Sequence, residues 1–260
     1  MIINGMKKNV RSMLKRDETY VNLREFAAAL NLDVSYDAKT KDVEVSEKKV
    51  SQTLQPYKKE NIFGATVITA DPRNMFAVET QKATNRTPYK NFVNGVYFMY
   101  EARPEGKYAY PQGMVVNAGE VMQSYMTHGK PNATIIVHSW NDVEMKYISD
   151  IKNEKDVWFA YSGFGIYPKI TAAEEGFTGK FSDVLRACSR PILGYRKKDN
   201  KMVIAVGENL SAQNAHDLAA DLCLDFAISL DGGGSTTLKI GGEYIFAGDG
   251  RKLYGGIIFS

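Results

Sequence analysis

The sequence predicts an α+β fold, in which a small ββαββ module precedes a larger domain built on a substantial mixed sheet. Three observations support this. From about residue 62 onward, short apolar or alternating runs end at turn residues, a pattern typical of half-buried strands. Two other stretches repeat their apolar residues with helical spacing. The 260 residues are 44% hydrophobic and include 22 Gly, which fits a globular chain with many turns.

The N-terminal module is predicted from the first 50 residues. A short strand at Ile2–Ile3 precedes a helix that Asn22 and Glu25 can cap, and one face of this helix carries Leu23, Phe26, Ala27 and Leu30. Apolar and polar residues then alternate on both sides of a turn at 37–41, with Val34 and Tyr36 before it and Val43 and Val45 after it. This alternation predicts a hairpin.

A polar stretch separates this module from the rest of the chain. Residues 46–61 are rich in charge and are interrupted by Pro56, a composition typical of a solvated linker. We therefore predict a module at 1–50, a linker at 51–61 and a larger domain at 62–260.

The larger domain is predicted to contain many strands and one clear helix. The strands are expected at 65–69, 75–78, 96–99, 114–116, 134–137 and 157–161. Ser211 is a good N-cap for a helix whose buried face would hold Ala215, Leu218, Ala219 and Leu222. Phe226, Ile228 and Leu230 then alternate with smaller residues, so a strand leads into Asp231.

The sharpest functional signal is the run from Asp231 through Gly232, Gly233 and Gly234 to Ser235 and Thr236. Three successive glycines cost chain entropy, and they are useful where the backbone approaches a ligand or adopts positive φ. Successive N–H groups in such a turn can bind an anion, and the two hydroxyls add donors. Asp231 would direct a carboxylate to the same place. The alternative is a flexible Gly-Ser loop with a capping aspartate.

This motif resembles the signature of the phosphodiester glycosidase (uncovering-enzyme) family. Further matches occur in the same order along the chain, at Asn94-Gly95, at Arg190 and at Gly250-Arg251, so the resemblance covers about residues 62–260. The sequence departs from the family pattern by lacking a Thr after Arg190 and by having Glu208-Asn209 where Gly-Arg is common. The resemblance implies a phosphodiester glycosidase fold.

The resemblance also implies hydrolysis of a sugar-1-phosphodiester, such as an N-acetylglucosamine phosphodiester. The sequence has no HExxH motif, no paired His spacing and no acid-rich Ca²⁺ loop, so we expect neither a metal nor another cofactor. Asp231 is then the expected carboxylate at the reacting sugar, with Glu208 and Asp249 as substitutes. Phosphate would be held by Arg190 and Arg251, by the amides of Gly232, Gly233 and Gly234, and by Ser235 and Thr236. Asn94, next to Gly95, would orient a sugar hydroxyl. His138 follows an apolar run and is a further candidate for lining the cleft.

Each of these residues also has a structural interpretation. Asn94-Gly95 is a standard tight-turn pair, and Asp249-Gly250 is typical of a hairpin turn. Arg190 precedes Pro191 and would suit a solvated loop, while Glu208 would suit a turn. Cys188 and Cys223 are expected to be free thiols, although one bridge between them remains an alternative.

The first 50 residues resemble the copper amine oxidase N-terminal-like (stalk) domain. The matching residues are Ile3-Asn4-Gly5, Tyr20 to Arg24, Ala29-Leu30-Asn31 and Tyr36-Asp37, with Asn22 in place of Pro and Asn31 in place of Gly. Nothing in this segment offers a copper ligand set. The resemblance implies a module for attachment or oligomerisation.

Charge and hydropathy limit the choice of partners. The net charge of +3 is too balanced for a dedicated nucleic-acid binder. No run approaches the roughly 18 apolar residues of a membrane span, and the N-terminus lacks a secretory apolar region. We expect cytoplasmic synthesis, followed by incorporation into a virion or release to the cell wall. The two resemblances together, a stalk-like module beside a hydrolase domain, imply a teichoic-acid-like or exopolysaccharide phosphodiester of the cell envelope as the substrate, and an enzyme that is either bacterial or phage-encoded.

Two functions of other classes remain open. One is a non-catalytic protein that binds carbohydrate or cell wall. The other is an intracellular phage protein that acts on a nucleotide-like phosphodiester.

Overall fold

A computed structural model describes residues 57–124, 130–139 and 141–260, together with the backbone of six short strands within residues 2–47. The contacts between residues divide the chain into two compact units, Met1–Leu54 and Gln55–Ser260. Each unit is described by itself below. The strands are numbered along the chain.

The described strands of the first unit form three antiparallel pairs. β1 (Ile2–Ile3) pairs with β2 (Met6–Lys7), β3 (Ser12–Lys15) with β4 (Glu18–Val21), and β5 (Leu32–Tyr36) with β6 (Val43–Glu47). The β5–β6 pair places Val34 opposite Val45, which confirms the predicted hairpin. The helix predicted to begin at Asn22 lies outside the described residues.

The described residues of the second unit form three sheets and one separate hairpin. The first sheet has six strands, in the spatial order β18 (Phe164–Tyr167), β21 (Phe226–Ser229), β19 (Cys188–Arg196), β20 (Lys201–Leu210), β8 (Ala65–Ala70) and β7 (Lys58–Ile62). The second consists of β23 (Glu243–Ala247), β22 (Thr237–Ile240), β10 (Phe92–Asn94), β24 (Gly255–Phe259) and β9 (Met75–Glu79).

The third sheet also has five strands, in the order β14 (Glu120–Gln123), β13 (Val115–Asn117), β17 (Val157–Ser162), β15 (Asn132–His138) and β16 (Val143–Ile148). The hairpin consists of β11 (Phe98–Arg103) and β12 (Gly106–Pro111). It leaves the second sheet directly after β10.

The predicted α+β class with a mixed sheet is wrong, because the described residues form a predominantly β structure. Every strand pair described in this unit is antiparallel. The one α-helix of the described residues is α1 (Ala212–Asp221), beside short 3-10 turns. Hairpin turns account for some of these pairs, such as β19–β20 and β22–β23. The others join strands that are distant in the sequence, such as β10 with β24 and β9 with β24.

The six-stranded sheet is buried on both faces, because its side chains alternate between two cores. One face contributes Ile68, Leu193 and Ile228 to a core shared with the other two sheets. The opposite face contributes Val67, Ile192 and Ala205 to a second core, which α1 covers with Ala215, Leu218, Ala219 and Leu222. Ser211 Oγ accepts a hydrogen bond of 3.1 Å from the Asn214 amide, so the predicted N-cap and apolar face of this helix are confirmed.

Two local predictions differ from the structure. A continuous strand was predicted at 96–99, but β10 ends at Asn94 and β11 begins at Phe98. The break exists because the backbone at Gly95 pairs with Asp231. Residues 58–61, predicted as linker, lie in the edge strand β7, whose partly exposed position explains their polarity.

Both cysteines are free thiols, as predicted. Within the part of the chain that the structure describes, no helix has the length and apolar character to cross a membrane.

Candidate active site

The candidate site is a cleft of about 900 Å³ in the second unit, and Asp231 lies in its wall. The β11–β12 hairpin and the residues just before it form one side, and residues 176–184 form another. Five aromatic rings line the cleft: Tyr97, Phe98, Tyr100, Tyr110 and Phe177. Asp183, Glu101 and Lys130 are the other charged lining residues. An aromatic cleft with a few polar groups is the usual form of a small-molecule site.

The position of Asp231 is fixed through its main chain. The Asp231 amide donates to the Gly95 carbonyl at 3.0 Å. Asn94 Nδ2 donates to the Asp231 carbonyl at 2.6 Å, while Asn94 Oδ1 accepts from the Thr237 amide at 2.8 Å. Asn94 is 1% exposed, so its side chain fastens both ends of the glycine turn. This geometry supports a positioning role for Asn94 in place of the predicted contact with a sugar hydroxyl.

The acidity of Asp231 is strongly altered. Burial raises the pKa of its carboxyl from the usual 3.8 to about 6, and the negative charge of Asp183 acts in the same direction. The Ser235 hydroxyl and the cations of Arg251 and Arg190 oppose this effect on the pKa. A carboxyl with a pKa close to the working pH can both give and take a proton, as general acid–base catalysis requires.

The three glycines after Asp231 each have a steric reason to lack a side chain. Gly233 has a φ of +63°, in the left-handed region that favours glycine. A Cβ on Gly232 would lie 2.9 Å from the Ser189 carbonyl oxygen. A Cβ on Gly234 would overlap the side chains of Asp249 and Arg251. The alternative of a flexible Gly-Ser loop is therefore wrong, since close neighbours hold the turn.

The turn is a candidate site for an anion. Among the described residues, none accepts a hydrogen bond from the amides of Gly232, Gly233 or Gly234. Two guanidinium groups lie next to these glycines, on the side where a Cβ would point. Arg186 Nη2 is 3.1 Å from the position that a Cβ of Gly233 would occupy, and Arg251 lies against Gly234. Converging amides and guanidinium groups bind phosphate well. We call the amides of Gly232–Gly234 with Arg186 and Arg251 the anion cradle.

Arg190 does not belong to the anion cradle, although it was predicted to grip phosphate. It is 1% exposed, and its guanidinium donates to Ser229 Oγ at 2.9 Å and to the Leu210 carbonyl at 3.0 Å. Its Nη2 also donates to the carbonyls of Val184 and Arg186, at 2.6 and 2.8 Å. The solvated-loop alternative is wrong as well, because Arg190 lies in the interior strand β19. The structure gives it a scaffolding role.

The hydroxyls of the predicted motif face the protein. Thr236 is 2% exposed, and its Oγ1 donates to the Ser189 carbonyl at 2.7 Å, which holds the turn against β19. Ser235 is fully buried. Its Oγ makes no hydrogen bond of normal geometry within the described residues, although its proximity to the Asp231 carboxyl lowers the pKa of that group. Neither hydroxyl is oriented toward solvent in the way that direct phosphate binding would need.

Three other predicted residues do not line the cleft. Glu208 is exposed near the end of β20. Asp249 forms an ion pair with Arg251 at 2.6 Å, which lowers the pKa of Asp249, so its contribution is to hold Arg251 beside the cradle. His138 is 6% exposed and lies within hydrogen-bonding distance of Glu144 Oε1 and the Lys155 carbonyl, at 2.8 and 2.9 Å. Its ring is held by these two groups, and His138 is not among the residues that line the cleft with Asp231.

Several site residues were not predicted. Asp183 lies in the 3-10 segment Gly179–Leu185, and Arg186 follows it directly. This segment has no regular hydropathy pattern that would place it against Asp231. The aromatic hairpin was also missed, although its closely spaced Phe98, Tyr100, Tyr108 and Tyr110 were a usable signal. Within the described ranges, no three His, Cys, Asp or Glu side chains approach closely enough to ligate a metal ion.

Gly95, predicted to contact substrate, is required for close packing. A Cβ there would overlap the hydroxyl and ring of the buried Tyr161. We expect Gly95→Ala to lower the free energy of unfolding by about 1–3 kcal/mol, because overpacked cores shift side chains and backbone. Urea denaturation measures this change. Unaltered stability together with weakened substrate binding would instead indicate the predicted substrate contact.

The fold and the site define a β-rich protein in which a carboxyl of raised pKa directly precedes a turn of three glycines. Comparison with known families gives this class a narrower identity. The family model for phosphodiester glycosidases matches residues 89–259, and that for the copper amine oxidase N-terminal domain matches residues 2–79. The chain belongs to the phosphodiester glycosidase family.

Solved structures agree on the fold. The catalytic domain of zebrafish N-acetylglucosamine-1-phosphodiester alpha-N-acetylglucosaminidase, auto-inhibited by its pro-peptide, matches with a TM-score of 0.61 and 15% identity, over 88% of this chain and 81% of that one. A hypothetical protein from Synechocystis matches with a TM-score of 0.55 and 12% identity, over 96% and 72% of the two chains. A putative exported protein from Burkholderia pseudomallei matches with a TM-score of 0.54 and 11% identity, over 75% and 73%. No curated protein matches the sequence.

Proposed function

We propose that the protein hydrolyses a sugar-1-phosphodiester by breaking the glycosidic C–O bond, so that a phosphomonoester leaves. One observation carries this proposal. The Asp231 carboxyl, with its pKa raised to about 6, directly precedes three glycine amides that no described residue uses. A proton donor or acceptor is thus covalently adjacent to a binding place for a negatively charged group.

The anion cradle suits this reaction because negative charge on the phosphate grows as the C–O bond breaks. Backbone amides held in a fixed turn stabilise such charge without reorganising, which is the largest contribution in many enzymes. Arg186 and Arg251 add two guanidinium groups next to these glycines. Arg251 is oriented by Asp249, whose carboxylate also limits the net positive charge at that edge.

The rest of the cleft suits a sugar. Tyr97, Tyr100 and Phe177 line the cleft together with Asp231, and its volume of about 900 Å³ exceeds that of a single small sugar. We propose that the substrate is part of a glycopolymer of the cell envelope, and that the enzyme is either bacterial or phage-encoded. The N-terminal module would then attach the enzyme to that polymer.

The test is a panel of phosphodiesters incubated with the full chain. N-acetylglucosamine-1-phosphodiesters and other sugar-1-phosphodiesters should release a reducing sugar and a phosphomonoester in equal amounts. Bis-aryl phosphodiesters, which have no glycosidic bond, should remain intact. Binding of the sugar phosphodiesters without any turnover would establish the non-catalytic carbohydrate-binding function instead. Cleavage of the bis-aryl compounds would indicate a nucleotide-like phosphodiesterase.

Tyr100 provides a test of whether the aromatic side chains that line the cleft contact the sugar. It is 42% exposed and lines the cleft, and its hydroxyl donates to the Lys252 carbonyl at 2.7 Å. We expect Tyr100→Ala to raise the KM for a sugar phosphodiester about fivefold, because an aromatic contact contributes about 1 kcal/mol. Tyr100→Phe keeps the ring and removes only the hydroxyl, so it should retain the wild-type KM. Equal KM values for both variants and the wild type would show that this ring does not contact the sugar.

A further inference from the structure

We propose that Asp183 is the second carboxylate of the site, where it acts as the general base on the attacking water while Asp231 protonates the leaving phosphate. This inference rests on the proposed hydrolysis of a sugar phosphodiester. It adds a catalytic residue that the sequence pattern did not indicate, and it assigns one role to each acid.

The first support is placement. Asp183 and Asp231 line the same cleft but come from different segments. Asp231 follows β21, whereas Asp183 lies in the 3-10 segment Gly179–Leu185. Asp183 is exposed, so its carboxylate can meet a water molecule. Glycoside hydrolysis commonly uses two carboxyl groups on opposite sides of the scissile bond, one as acid and one as base or nucleophile.

The second support is a direct structural link between the two segments. The buried Arg190 guanidinium donates through Nη1 to Ser229 Oγ, two residues before Asp231. Through Nη2 it donates to the carbonyls of Val184 and Arg186, on either side of the end of the Asp183 segment. One cation thus fixes the spacing between the acid-bearing segments. Catalytic groups need this kind of support to within fractions of an ångström.

The third support is electrostatic. The Asp183 charge is among the causes that raise the pKa of Asp231, after burial. Arg251, Arg190 and Ser235 are the other groups that act on this carboxyl, and all three lower its pKa. A carboxyl of raised pKa beside a second carboxyl suits the role of proton donor.

The roles follow from the position of the anion cradle. Asp231 adjoins the cradle through the peptide chain, so its proton is close to the phosphate oxygen that leaves C1. In the step, water attacks C1 and gives a proton to the Asp183 carboxylate, while the C1–O bond breaks toward the phosphate. The leaving oxygen takes the proton of Asp231. The products are a reducing sugar and a phosphomonoester, and proton exchange with solvent restores both acids.

The experiment uses the full chain with the sugar phosphodiester that wild type hydrolyses best. We expect Asp183→Asn to lower kcat/KM by about 10²–10⁴-fold, the usual contribution of a general base. Because Asp183 is exposed, the Asp183→Asn protein should be as stable in urea as wild type. In Asp183→Ala, added azide should restore turnover and yield a glycosyl azide, since azide needs no base. Asp221→Asn, an exposed aspartate at the end of α1, is the matched control and should behave as wild type.

A second readout is the pH profile. With Asp231 as the acid, kcat/KM of wild type should fall as pH rises above about 6, the pKa of that group. The residual activity of Asp183→Asn should fall at a lower pH, because the neighbouring negative charge is gone. An Asp183→Asn enzyme as active as wild type would overturn the assignment, as would an inactive Asp183→Ala enzyme that azide does not restore. Both outcomes require an active wild type, so they differ from a failure of the proposed function, in which wild type itself hydrolyses nothing.

Discussion

Replacement of Asp231 by asparagine should abolish hydrolysis and yet make the folded protein more stable at neutral pH. Asparagine keeps the shape of the side chain but can neither donate nor accept the catalytic proton, so kcat/KM should fall by about 10²–10⁴-fold. The anion cradle is formed by backbone amides and is unaffected by the substitution, so substrate should bind with nearly unchanged affinity. Turnover assays and calorimetric titration of the substrate measure the two effects separately.

The stability effect follows from the same pKa. Because the folded-state pKa of about 6 exceeds the usual 3.8, this carboxyl favours folding while it is protonated. Its contribution is complete below the unfolded-state pKa and is lost as pH rises through the folded-state pKa. A difference of about two pH units corresponds to ~3 kcal/mol. In urea denaturation, Asp231→Asn should therefore exceed wild type by up to this amount at pH 7.5 and match it at pH 4.

The exposed Asp221→Asn variant is the control, since it should show no such pH-dependent difference from wild type. Wild-type turnover by Asp231→Asn would remove this residue from the chemistry. A variant less stable than wild type at pH 7.5 would show that the carboxylate, and not the neutral acid, is the form that the fold favours.

Replacement of Arg190 by lysine should destabilise the protein by about 3–5 kcal/mol, a large share of the 5–15 kcal/mol that ordinary domains possess. An ammonium group concentrates its donors at one point, whereas the guanidinium of Arg190 serves acceptors in several directions. Ser229 Oγ and the carbonyls of Val184 and Leu210 would lose their donors in a buried setting. Each unsatisfied buried acceptor costs about 1–3 kcal/mol. Urea denaturation measures the loss.

The same substitution distinguishes scaffolding from phosphate binding. In any Arg190→Lys protein that folds, the fall in kcat should be larger than the rise in KM, because the segments that carry Asp183 and Asp231 lose their common anchor. Arg196→Lys, on the same strand, is the control: Arg196 pairs with Asp199 at 2.8 Å near the surface, and such pairs contribute less than about 1 kcal/mol. A stable Arg190→Lys enzyme with a raised KM alone would restore the predicted contact between Arg190 and phosphate.

Local patterns in the sequence predicted local structure well. The Ser211 cap and the apolar face of α1 follow from spacing within one helix, and the β5–β6 hairpin follows from alternation around one turn. The direction of strand pairing does not follow from such patterns. Antiparallel order throughout the second unit depends on which distant strands meet, as when β10 pairs with β22 and β24. The mixed-sheet prediction failed for this reason.

The features of the site also fall into two groups: those that a local sequence pattern predicts and those that depend on tertiary contacts. Three consecutive glycines lose much conformational entropy on folding, and a local steric requirement explains why they are present. The tight turn after Asp231 could therefore be predicted from the sequence. The role of Arg190 was not visible in the sequence, because it depends on three carbonyls and a hydroxyl from three separate segments. Asp183 was missed because its 3-10 segment has no periodic pattern and approaches Asp231 only through tertiary packing.

The central claim is that the bond broken lies between C1 of the sugar and oxygen, and hydrolysis in water enriched in oxygen-18 tests it most directly. The phosphomonoester should be isolated and its phosphorus examined by NMR, where bound oxygen-18 shifts the signal. If the chain is a glycosidase as proposed, the phosphomonoester will contain no label, because water enters the sugar. A labelled phosphomonoester would contradict the account, since it would show that water attacks phosphorus.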